Sequence, residues 1–81
     1  MGVVIKDPAF FEKLLVMNGY SKREFSRVSG ISYFMVFQMT KGKRNPSPKT
    51  SKLICDILNV DFDELFQLVY EDIDPREEVK S

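Results

Sequence analysis

The sequence predicts an all-α domain of five short helices. Helix-opening residues recur along it, at Asp7 before Pro8, at Ser21, at Ser32, at Ser47 before Pro48, and at Asp61. Glycines stand where helices should stop, at Gly19, Gly30 and Gly42. Between caps and stops, apolar residues recur three and four apart, the period of a helix with one buried face. Eighty-one residues make one domain. At this size only about 60% of the chain's surface can be buried. Such a core is marginal, so a homodimer would be a ready source of stability.

Each helix has its own warrant. Asp7-Pro8 caps helix 1, which carries Phe10, Phe11, Leu14, Leu15 and Met17 toward a stop at Gly19. Ser21 and Glu24 form a capping box, in which each side chain reaches the other's backbone N–H, and helix 2 runs from Lys22 to about Ser29. Gly30 follows, the residue best able to take the positive φ of a tight turn between helices. Ser32 caps helix 3, which ends before Gly42. Ser47-Pro48 opens helix 4, whose buried stripe reads Leu53, Ile54, Ile57 and Leu58. Asp61 to Glu64 is a second capping box and opens a short helix 5 toward Leu65 and Phe66.

The two ends behave differently. Val3-Val4-Ile5 is β-branched, and Phe66 to Tyr70 fits a helix or a strand. Two outcomes stay open: the ends pair as a short antiparallel ribbon, within one chain or across a dimer, or both fray. Residues 1–70 are expected to form the domain. Residues 71–81, EDIDPREEVKS, are expected to be a flexible acidic tail.

Composition excludes several classes of function. The chain has one cysteine and no histidine, so neither an internal disulfide nor a recognisable zinc site can form. Cys55 falls in an apolar helical pattern and reads as a buried thiol. No nucleophile stands beside a recognisable base, and no glycine loop could cradle a phosphate. The chain is therefore expected to be no enzyme and to need no cofactor. It lacks a secretion signal and a spanning apolar run, which points to the cytoplasm and away from membranes.

Charge is what singles out a function. Residues 20–52 hold eight Lys/Arg against one acid, a net +7, while residues 53–81 sum to −7. The overall neutrality hides a basic face and an acidic end. Within the basic part, YSKREFSRVSGISYFMVFQMTKGKRNP reads as a capped helix, a turn at Gly30, a second capped helix, and a cationic loop. A short helix propping a second one, followed by cations, is a way to place side chains in a DNA groove.

Several segments, in register, resemble the lambda-repressor/Cro-like (XRE-type) helix-turn-helix DNA-binding family. They are Ser21–Glu24 with Phe25-Ser26, Gly30-Ile31-Ser32, Val36 and Met39, the loop from Lys41 to Thr50, and Asn59 to Phe66. The resemblance spans roughly residues 9–68. It implies a compact five-helix domain that inserts helix 3 in the major groove of double-stranded DNA. It also implies a transcriptional regulator, a repressor of phage, mobile-element or bacterial origin. Ser26 must be small where the two helices cross, while Phe25, Ile31, Val36 and Met39 face inward.

The remaining positions are candidate contacts. Lys22, at the start of helix 2, would meet a phosphate. Ser32, Tyr33, Phe34, Phe37 and Gln38 belong to the presented side of helix 3, and Gln38 could make a bidentate amide contact to adenine. Lys41, Lys43 and Arg44 would meet phosphates, Asn45 a base or the backbone, and Ser47 and Lys49 the backbone at the next helix start.

Tyr33, Phe34 and Phe37 depart from the family, which uses polar residues there. Three alternatives follow: partial burial of Phe34 or Phe37 against the helix 3 to helix 4 loop, contact with thymine methyl groups, or an apolar patch for another protein. The last would make the chain a protein-interaction module of the antirepressor kind, binding through helix 3.

Overall fold

The structure, a computed structural model, describes residues 2–70 of the chain. The expected acidic tail, 71–81, lies outside the described residues. The elements run β1 (Gly2–Ile5), α1 (Pro8–Met17), α2 (Lys22–Ser29), α3 (Tyr33–Thr40), α4 (Pro48–Leu58), α5 (Phe62–Leu65) and β2 (Phe66–Val69). All five expected helices are present, and no described helix is long and apolar enough to cross a membrane.

Local chemistry sets the helix boundaries. The Asp7 carboxylate accepts from Ala9 N–H at 3.0 Å, and the Ser32 hydroxyl accepts from Met35 N–H at 3.1 Å. The Ser21–Glu24 box is closed in both directions, at 3.0 and 3.1 Å. At helix 5 the Glu64 carboxylate accepts from Asp61 N–H at 2.8 Å. Glycine ends α1 as expected, with Gly19 N–H bonded to Val16 and Tyr20 N–H to Leu15, the paired bonds of a Schellman stop. Helix α4 ends instead on Asn59, whose φ of 56° puts it in the left-handed region.

The open question of the termini is resolved within one chain. β1 and β2 pair antiparallel, Gly2 opposite Val69 and Ile5 opposite Phe66. The ribbon is part of the core: Val3, Ile5 and Phe66 are buried together with Phe11, Leu15, Phe25, Val36, Met39, Ile54, Leu58 and Leu65. The fold class is thus five helices with a small terminal sheet.

Two expected stripes each lose one residue to solvent, while Phe10 and Ile57 pack against the core as expected. Leu53 is 40% exposed, and the inner face of α4 is Ser51, Ile54, Cys55 and Leu58. This is a strict i, i+3, i+4, i+7 series. Ser51 fits on it because its hydroxyl donates to the Ser47 carbonyl at 2.7 Å and so costs no unpaired polar atom. In α1 the inner residues are Phe11, Leu14 and Leu15, which turns Met17 to solvent. Cys55 is a buried free thiol, and burial pushes its pKa up.

Candidate nucleic-acid interface

The α2–α3 pair is built for a close crossing. Gly30 takes φ 79°, Ser29 Oγ accepts from Ile31 N–H, and the half-buried Ser26 hydroxyl donates to the Ile31 carbonyl. Phe25, Val36 and Met39 are fully buried beneath the crossing, with Ile31 packed against them. These residues hold α3 so that its other side is free.

That side is aromatic. Tyr33 is 42%, Phe34 58% and Phe37 38% exposed, and none belongs to the core. Phe37 is the most covered of the three and Phe34 the least. Tyr33 and Phe37, one turn apart, lie nearly parallel with centroids at 6.5 Å. Each ring carries a cation from a different element. The Arg23 guanidinium of α2 lies 4.9 Å from the Tyr33 centroid. Lys41 Nζ, at the end of α3, is 5.4 Å from Phe37, and Arg44 of the loop is 5.7 Å from Phe34. Contacts of this kind contribute about 0.5–1 kcal/mol at exposed sites. Arg23 was missed from sequence, because nothing in the order of residues tells that α2 leans its first turn over Tyr33.

The cationic loop is rigidly rooted. Gly42, with φ 73°, gives its N–H to Met39, and Lys43 gives its N–H to Gln38 at 2.9 Å, a second Schellman stop. Pro46 is buried. Lys41, Lys43, Arg44 and Lys49 are exposed, and Ser47 closes the loop by accepting from Thr50 N–H at 3.3 Å.

Three expected contact residues are placed differently from the sequence reading. The Lys22 ammonium donates to Glu12 on α1 at 2.7 Å, so its charge already faces an acid of the same molecule. Asn45 Oδ1 accepts from Ile5 N–H at 2.9 Å, which ties the loop to β1 and commits that side-chain oxygen to the fold. Gln38 is half-buried rather than fully presented. Ser32 is exposed, but its hydroxyl is used as the α3 cap.

Two short helices crossing through a three-residue turn, the second presented and edged by cations, define a helix-turn-helix domain. The chain belongs to the helix-turn-helix family, in its lambda-repressor/Cro-like (XRE-type) form, a family of DNA-binding regulators: the family model matches residues 11–65. Among solved structures it is similar to the transcriptional regulator VanUg, with 25% sequence identity and a TM-score of 0.62 over 88% of this chain and 92% of that one. No curated protein sequence matches the chain.

Proposed function

We propose that the protein is a sequence-specific transcriptional regulator that inserts α3 in the major groove of double-stranded DNA and acts as a repressor. The observation that carries this is the presented face of α3, three exposed rings bordered by Arg23, Lys41 and Arg44. A groove floor takes the rings while the flanking phosphates take the cations. Repression would follow from occlusion of a promoter by the bound domain. Family membership supports the reading, and so does the regulator to which the fold is similar.

The test is a charge reversal in the loop. Lys43→Glu with Arg44→Glu removes two exposed cations that bond nothing in the core. Binding to duplex DNA should be abolished while the helical circular dichroism is retained. In the unmodified protein, neutralising about four phosphates gives log K a slope near −3 to −4 against log salt. Undiminished binding by a folded double variant would remove the loop from the interface. The exposed rings favour a second reading, a protein-interaction module that uses α3 on a partner. In that case duplex affinity would be weak even at low salt.

A further inference from the structure

The presented face of α3 offers little that can read a base edge by hydrogen bonds. Gln38 is the single amide on it and is half-buried, while Tyr33, Phe34 and Phe37 are the side chains that stand out. Rings cannot make bidentate contacts to a purine edge. The apolar group that a major groove does present is the C5-methyl of thymine, and 5-methylcytosine carries the same group at the same place.

Spacing and charge both fit that group. The Tyr33 and Phe37 centroids are 6.5 Å apart and the rings nearly parallel. Rings this far apart can each cover a separate methyl group on nearby bases. The cations argue for a duplex over a protein. An apolar partner surface that covered these rings would also strip water from Arg23, Lys41 and Arg44, whose charged groups sit over them. Burying cations without counter-charges is costly. A duplex supplies methyl groups to the rings and phosphates to the cations in one geometry.

We infer that α3 reads pyrimidine C5-methyl groups, with Tyr33 and Phe37 each covering a separate one and Phe34 closing the side of the patch. The inference rests on the DNA-binding reading above. It makes the preferred site one with methyl-bearing pyrimidines beneath α3, and it makes the three rings the specificity residues.

The experiment uses the full chain. A preferred site is first selected from a random duplex pool, and affinity is then measured by fluorescence anisotropy on duplexes in which each thymine is replaced singly by deoxyuridine. This change removes one methyl and keeps every hydrogen bond. Loss of roughly fourfold per contacted methyl is expected, at two or more positions. Phe37→Ala should weaken binding to the thymine site and abolish the methyl dependence at one position. A thermal melt confirms that this variant, whose ring lies outside the core, stays folded. The deoxyuridine scan on the unmodified protein decides the matter by itself. A selected site bound equally well with every thymine replaced would overturn the methyl reading and leave DNA recognition standing. Salt-sensitive binding with no enriched site would overturn both the methyl reading and sequence-specific recognition, leaving nonspecific phosphate binding alone. Failure to bind any duplex at low salt would overturn DNA binding as well.

Discussion

Gly30 and Gly42 share a left-handed backbone and differ in what surrounds them. A Cβ built on Gly30 meets nothing within 4 Å, whereas one on Gly42 comes to 3.0 Å from Pro8 Cγ. Gly30→Ala should therefore cost only the backbone term, about 1–2 kcal/mol. Gly42→Ala should cost more, because the Pro8 ring or the loop must also give by a few tenths of an ångström. Chemical denaturation of the two variants checks the order, and equal losses would count against the close approach at Pro8. Titration adds a second case. Glu12 is held below the ordinary carboxylate range, chiefly by the hydrogen bond from Lys22. Glu24 is lowered likewise, by its bonds at Ser21. A carboxyl with a lowered folded pKa stabilises the fold above its unfolded value, near 4.5, and that contribution is lost as the pH falls through the folded value. Both groups of the Lys22–Glu12 pair are partly solvated, so Glu12→Gln should cost at most about 1 kcal/mol at neutral pH. The difference from the parent should shrink as the pH falls from 4.5 through the lower folded value, read as urea midpoints across that range.

Between elements, the joint that matters is the one from loop to ribbon. Asn45 Oδ1 takes the Ile5 N–H, forty residues away in sequence, and Pro46 is buried beside it in the chain. The ribbon therefore holds the segment that carries Lys43 and Arg44, and the presented end of α3 is fixed from two directions. Asn45→Ala leaves a part-buried N–H without its partner, at a cost of about 1–3 kcal/mol. For a domain of this size each kcal/mol lowers the melting temperature by about 4–8 °C. Duplex affinity should fall with it, since the loop loses its anchor. A melt unchanged by the substitution would show that the ribbon does not brace the loop.

Charge is divided at the level of the molecule. Residues 20–52 carry a net +7, of which Arg23, Lys41 and Arg44 lie over the rings of α3, while residues 71–81 carry five acids and two cations. Were those acids to reach the basic face, they would compete there with the phosphates of a duplex. Removal of 71–81 should leave the melt unchanged and raise nonspecific duplex affinity at low salt. The gap should shrink as salt screens it, over a Debye length of about 10 Å at 0.1 M. A truncated chain that fails to fold would instead make the tail part of the core.

Sequence by itself determined what is local. Caps, glycine stops and the helical period depend on residues a few positions apart, so all five helices and the turn at Gly30 could be read directly, as could the inward set Phe25, Ile31, Val36 and Met39. The aromatic, cationic character of the presented face was legible for the same reason. What depended on distant partners was decided only by the tertiary structure. β1 needed β2 to become a strand, and Asn45 needed Ile5 to become a tether. Lys22 needed Glu12 on another helix to have its charge taken up. Leu53 and Met17 are apolar, but the rotation of each helix about its axis is fixed by the neighbours it packs against, and those neighbours turned both to solvent.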